Sequence, residues 1–160
     1  MRSSPVPEDK SSDSDSGVSP AGDKAAAAGD DILPKWSEPA IRVLMMPRDT
    51  NAYGTIFGGV VLSYVDQAGA IEARRQGCNY IVTVSMDKIV FHAPVYVGDL
   101  VTFWTDTLRI GRTSITTRVI VKATRNSDLT QEVTVTEAQV VYVNLDENRL
   151  PTPIRPERAG

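Results

Sequence analysis

The chain has 160 residues, of which 41% are hydrophobic, and a formal net charge of −3, which frames one globular domain of ordinary composition. Its acidity is local: residues 1–31 hold three cations and seven anions, while the remainder carries +1, so bulk attraction to nucleic acid or to a membrane surface is excluded. One cysteine and one histidine are too few for an internal disulfide framework or a Cys/His zinc site within one chain, and the lone thiol fits a reducing cytoplasm.

In chain order, residues 1–31 are Ser, Asp, Ala, Pro and Gly with almost nothing to bury. Such a composition does not offset the entropy of ordering, and disorder is expected. No apolar core of ~7–15 residues marks a secretory signal, and no run approaches the ~18–20 apolar residues of a membrane span. With the linker ILPKWSEP at 32–39, an acidic tail of residues 1–39 is expected. It precedes a domain at 40–154 and a short C-terminal tail at 155–160.

Residues 40–46, AIRVLMM, predict a short strand that Pro47 terminates. Residues 58–76 predict one helix of about five turns, stopped by Gly77. From Val60 to Ile71 that helix is apolar on nearly every side, so burial is expected. The period then changes to two, through YIVTVSMDKIVFHAPV, LVTFWTDTLRI, TSITTRVIVKATR and QEVTVTEAQVVYVNL, with turns at VGD, GR and NSD between them. In the third run Ile115, Thr117, Val119, Val121 and Ala123 share one face, and Ser114, Thr116, Arg118, Lys122 and Thr124 the other, with Ile120 the exception. Antiparallel strands with one buried face read this way. Short connections predict neighbouring strands in a meander. The segment DENRLPTPIRPERAG reads as irregular and exposed. One long buried helix beside five strands is an α+β layout, satisfied by a curved antiparallel sheet wrapped around the helix. Such a sheet has edges and covers its helix incompletely, which favours pairing with a second copy.

The candidate chemistry lies in DTNAYGTIFGG at 49–59 and the helix behind it. After Asp49 the next charge is Asp66, whose helix neighbours at three and four residues are Leu62, Ser63, Gly69 and Ala70. No cation sits on the same stripe. A partly exposed aspartate satisfied locally would fit, but a carboxylate in an apolar helix is costly to desolvate and points to a task. Gly58 and Gly59 fit a tight junction that allows close packing. They fit equally a helix N-terminus whose free amides stabilise an oxyanion on a carbonyl. Asp66 lies ~12 Å along the axis from Gly58, so one chain alone does not bring the two together.

MPRDTNAYGTIFGGVVLSYVDQAGAI resembles the signature of hot-dog-fold acyl-CoA thioesterases, in the branch containing bacterial YciA and brain-type acyl-CoA hydrolase. The likeness continues through VTVSMDKIVFHAPVYVGDLVTF, RIGRTSITTRVIV and VTEAQVVYVNLDENRLPTPI, covering roughly residues 40–154. The resemblance implies a hot-dog fold and hydrolysis of acyl-CoA to free acid and CoA. It implies no metal or organic cofactor, coenzyme A being part of the substrate. Position by position, it makes Asp66 the catalytic carboxylate, as general base on water or as nucleophile. Asn51 becomes the asparagine that orients water or thioester, and Gly58, with Gly59 beside it, the amide that polarises the carbonyl. GRTS at 111–114 matches a loop near the CoA nucleotide, with Arg112 facing phosphate and Thr113 and Ser114 donating hydrogen bonds; a polar hairpin turn accounts for the same residues. The family's dimer brings one subunit's carboxylate to the other's glycine loop. The expected assembly is therefore at least a homodimer, extended to a tetramer or hexamer.

Phe57 stands where some members carry histidine, and His92-Ala93 differs from the pair in many relatives. His92 itself reads as a structural strand residue. Neither a Cys78–His92 nucleophile nor a G-x-S-x-G elbow at Ser63 is supported. A hot-dog dehydratase would need a histidine in the glycine-helix segment. A non-catalytic acyl-CoA-binding module would not need both Asn51 and Asp66.

Overall fold

The computed structural model describes residues 37–154; the expected disorder of residues 1–31 and the tail at 155–160 lie outside them. The elements are β1 (Ile41–Leu44), a 3-10 turn (Pro47–Asp49), α1 (Gly58–Arg75), β2 (Tyr80–Phe91), β3 (Leu100–Ile110), β4 (Ser114–Arg125) and β5 (Asp128–Leu145). All neighbouring strands are antiparallel, in the order β1-β3-β4-β5-β2. This is the α+β architecture expected, one long helix packed on a five-stranded sheet.

The meander holds for β3, β4 and β5 but not for β2, which pairs with β5 at the far edge instead of with β3. The reason lies in residues 92–99, which cross from one edge to the other. His92 N–H donates to Val135 O of β5 at 2.8 Å, Ile56 N–H to Val95 O at 2.8 Å, and Gly98 N–H to Met45 O at 2.8 Å. Gly98 turns with φ +85°, and a side chain there would collide with Asn126. The run HAPV therefore belongs to a crossing loop, not to the strand.

The inner face of β4 is the one its alternation predicts: Ile115, Thr117, Val119, Val121 and Ala123 are buried. The exception, Ile120, lies on the outer face opposite Trp104 of β3, where a cross-strand apolar pair is favourable. Against the inner face, α1 buries Val61, Val65, Ala68, Gly69, Glu72 and Ala73, spaced three and four apart as a packed stripe requires. Ser63 and Gln67 stay exposed, so one protomer covers only part of the helix.

Glu72 is fully buried. It accepts from Thr105 Oγ1 at 3.2 Å and Thr107 Oγ1 at 2.5 Å of β3, and pairs with Arg75 at 3.6 Å. At the helix end Gly77 takes φ +90° and Cys78 N–H returns to Ala73 O, the left-handed stop that its sequence position suggests.

The C-terminal segment is more ordered than its Pro-rich composition suggests. Pro151 bridges Leu145, Thr152 N–H donates to Asn144 O at 2.9 Å, and Ile154 N–H to Arg112 O at 3.0 Å. Buried Asn144 holds the segment down by donating to the carbonyls of Thr152 and Pro153. No helix among the described residues is long and apolar enough to cross a membrane.

Candidate active site

The glycine segment is shaped by its own polar side chains. Asn51 Oδ1 accepts from the N–H of Tyr53 at 2.8 Å and of Thr55 at 3.3 Å, and its Nδ2 donates to Thr55 Oγ1 at 2.8 Å. This is an Asx-type turn, in which the carboxamide replaces a backbone acceptor. One Nδ2 hydrogen remains for another partner. Asp49 does the same work one step earlier: its Oδ2 accepts from Met46 N–H at 2.9 Å, and its main-chain O accepts from Phe57 N–H at 2.8 Å. The loop thereby delivers the chain to Gly58 in a fixed direction.

At that point α1 begins without a side-chain cap. Its N-cap is Phe57, and no acidic residue lies in the first turn, although Ser, Thr, Asp or Asn would ordinarily fill the position. The N–H groups of Gly58 and Gly59 meet no acceptor among the described residues, as two of the orphan donors of a helix start. Gly59 needs to be glycine while Phe57 keeps its place, since a Cβ there would fall 2.4 Å from the ring. At Gly58 a Cβ would rest 3.6 Å from Phe91, an ordinary contact. Packing within one protomer therefore does not dictate glycine at 58, which borders an open space.

That space is a pocket of about 350 Å³ lined by Ile56, Gly58, Val61, Phe91 and His92–Val95. Gly58 at the helix N-terminus and His92 bring polar groups to it, and Ile56, Val61, Phe91 and Val95 give it apolar walls. His92, read from sequence as a structural strand residue, lines this pocket instead. Pro94, two residues further on, was the signal that the strand had ended.

Asp66 sits two turns along α1, half-buried. Its Oδ1 accepts from Thr83 Oγ1 of β2 at 2.7 Å. Tyr142 of β5 donates to the Asp66 main-chain O at 2.6 Å and approaches Oδ1 at 3.4 Å. Among the described residues no cation pairs with Asp66. The sequence revealed its isolation on the helix but not these two hydroxyls. Burial first, and then the Asp66 charge, hold the Tyr142 phenol well above its ordinary pKa, so it remains a protonated donor.

Arg112 and Thr113 occupy the β3–β4 turn, and Ser114 opens β4. Arg112 O and Thr113 O accept from Ile154 and Asn144 N–H, and Gly111 N–H closes on Ser114 O at 2.7 Å. The Arg112 side chain is exposed. These residues do not line the Gly58 pocket; within one protomer they form a separate feature.

An antiparallel sheet laid on one long helix is the hot-dog fold, and solved structures that share it are thioesterases. The sequence profile of the thioesterase superfamily matches residues 53–130. The acyl-CoA thioester hydrolase YciA of Salmonella typhimurium is 39% identical over 119 residues, which span 73% of this chain and 90% of that protein. A hexameric hotdog fold thioesterase of Campylobacter jejuni is 42% identical with a TM-score of 0.70, over 74% of this chain and 90% of that one. The hexameric thioesterase y2039 of Yersinia pestis is 37% identical with a TM-score of 0.70, over 77% and 98%. The chain belongs to the thioesterase superfamily, alongside the YciA-type acyl-CoA thioester hydrolases.

Proposed function

We propose that the protein hydrolyses acyl-CoA thioesters to a free carboxylic acid and CoA, at a site shared between two protomers. The observation that carries this reading is the pairing of an uncapped Gly58–Gly59 helix start, opening on an apolar pocket, with a lone carboxylate on the same helix. The thioester carbonyl points at the Gly58 N–H, with Gly59 beside it, where the amide and the helix dipole favour the oxyanion of the tetrahedral intermediate. Asp66 either takes a proton from water as it adds to the carbonyl carbon or attacks that carbon itself. Collapse breaks the C–S bond, and the thiolate of CoA leaves and is protonated; where Asp66 is the nucleophile, water then hydrolyses the acyl–aspartyl anhydride, releasing the acid and restoring the carboxylate. Asn51 turns its remaining Nδ2 hydrogen towards the water or the thioester. Arg112, Thr113 and Ser114 hold the nucleotide end of CoA.

The ~12 Å between Gly58 and Asp66 is closed by a second copy. β2 is a twelve-residue edge strand with Val82, Val84, Val90 and Phe91 exposed, a surface that invites pairing. Asp66 binds Thr83 near the start of β2, and Gly58 sits against Phe91 at its end. Two β2 strands paired antiparallel about Asp87, midway between Thr83 and Phe91, place Thr83 of each chain opposite Phe91 of its copy. Each carboxylate then approaches the other chain's glycine amide. The same pairing covers the open side of α1, and further association of dimers gives a tetramer or hexamer.

The test is thiol release from acyl-CoAs of graded chain length, by wild type and by Asp66→Asn. Asparagine keeps an oxygen for Thr83 and Tyr142, so the variant should fold and bind acyl-CoA. Its kcat should fall by about 10²–10⁴-fold, as expected when general acid–base help is lost. Wild-type turnover by Asp66→Asn sinks the catalytic assignment, and acyl-CoA binding without any thiol release by wild type sinks the enzymatic reading.

A further inference from the structure

Resting on that reading, we propose that Tyr142 is a positioning residue for Asp66 and that Oδ2 is the oxygen that does the chemistry. Both hydroxyls near the carboxylate lie on one side of it. Thr83 donates to Oδ1 at 2.7 Å, and the Tyr142 hydroxyl, 2.6 Å from the Asp66 carbonyl oxygen, stands 3.4 Å from the same Oδ1. Oδ2 has no donor among the described residues, so its lone pairs are left for water or for the thioester carbon.

The Tyr142 contact is built into the packing. Tyr142 is 1% exposed, and its hydroxyl reaches the helix backbone only because residue 69 has no side chain. A Cβ on Gly69 would fall 2.4 Å from the Tyr142 oxygen and 2.9 Å from Thr117 Oγ1. Gly69 is thus the notch that lets a strand side chain grip the helix one turn from the carboxylate. A phenol held above its ordinary pKa suits a fixed donor and not a proton shuttle. The groups around Asp66 are Leu62, Ser63, Gly69 and Ala70 on its own helix, Thr83 from β2 and Tyr142 from β5. None is charged, so hydrogen bonds and not ion pairs set its orientation.

The experiment is Tyr142→Phe in the full-length protein, followed by kcat and KM determined separately. Loss of the hydroxyl removes the bond to the Asp66 main-chain oxygen and the polar contact beside Oδ1, and so loosens the carboxylate. We expect kcat to fall about three- to tenfold, the scale of one net hydrogen bond, with KM unchanged. Gly69→Ala, which displaces the ring, should give the same pattern in the wild-type background and a smaller loss in the Tyr142→Phe background. Wild-type kcat in Tyr142→Phe, or a fall in kcat accompanied by a raised KM, overturns the proposal. An inactive Asp66→Asn beside an unaffected Tyr142→Phe removes this inference alone, whereas an active Asp66→Asn removes the catalytic reading beneath it.

Discussion

Replacing Arg125 by methionine tests whether the pocket wall depends on a buried ion pair. Arg125 Nη1 donates to Asp99 Oδ2 at 2.6 Å and to Pro94 O at 2.9 Å, with its guanidinium carbon 5.2 Å from the Tyr96 ring centre. The side chains are 11% and 3% exposed, so screening by solvent is slight. Without the guanidinium, Asp99 keeps the N–H groups of Tyr96 and Asn126 but stays buried without a cation. Breaking such a pair costs about 3–5 kcal/mol, and the two surviving amides put this one near the lower end. An unfolding entropy of about 2.1 cal/mol/K per residue over roughly 120 residues turns about 3 kcal/mol into a Tm loss of about 12 °C.

The same cut frees Pro94, and with it the loop that forms the His92–Val95 wall, so KM for acyl-CoA should rise. Thermal unfolding at fixed protein concentration, which removes the mass-action effect of assembly, gives the first number and steady-state thiol release the second. Adding Asp99→Asn to Arg125→Met should recover part of the stability by neutralising the orphaned charge. A Tm loss under about 4 °C, less than about 1 kcal/mol on the same scale, together with wild-type kcat/KM would refute the reasoning.

Other outcomes are expected. Arg112→Ala should raise KM for acyl-CoA more than it lowers kcat, because a contact far from the carbonyl supplies mostly uniform binding. Equal wild-type activity on a truncated pantetheine thioester would count against a nucleotide site in the β3–β4 turn. Cys78 is buried, and desolvation raises its thiol pKa, so less thiolate is present at any pH below it. The folded protein should therefore leave a thiol reagent unconsumed at neutral pH until denaturant is added; fast stoichiometric reaction of the native chain would show that Cys78 is accessible.

Features that the sequence made legible are those whose causes are local. Helix α1 could be bounded because Gly58–Gly59 and Gly77 sit at its ends. The faces of β4 followed from alternation, down to Ile120 as the odd residue, whose outer-face partner Trp104 lies across the β3–β4 hairpin. Asp66 stood out because residues three and four away on its helix are apolar or small. What supports Asp66 was hidden, because Thr83 and Tyr142 lie 17 and 76 residues away and only the sheet order brings them in. That order was itself misjudged: the placement of β2 beside β5 depends on how residues 92–99 cross the domain, which no spacing reveals. His92 was assigned to a strand for the same reason. Glu72 drew no notice in the sequence, yet two threonines of β3 make it a core residue.

The two irregularities in β2, between Thr83 and Ser85 and between Asp87 and Val90, gain a use once that strand is regarded as the ruler of the proposed dimer. A regular strand slides against its copy in equivalent steps, and each slip that keeps the same face inward displaces the chains by about 7 Å. Reacting atoms must meet within about 3–3.5 Å, so a single step would leave every fold intact and every carboxylate out of reach. Bulges spaced unevenly along the edge, one of them fixed by Lys88 at φ 59°, make the steps inequivalent and mark one alignment. Within the proposed dimer, a slip along β2 is therefore a change of catalytic gauge, felt in turnover while the pairing of β2 with β5 inside each chain is kept.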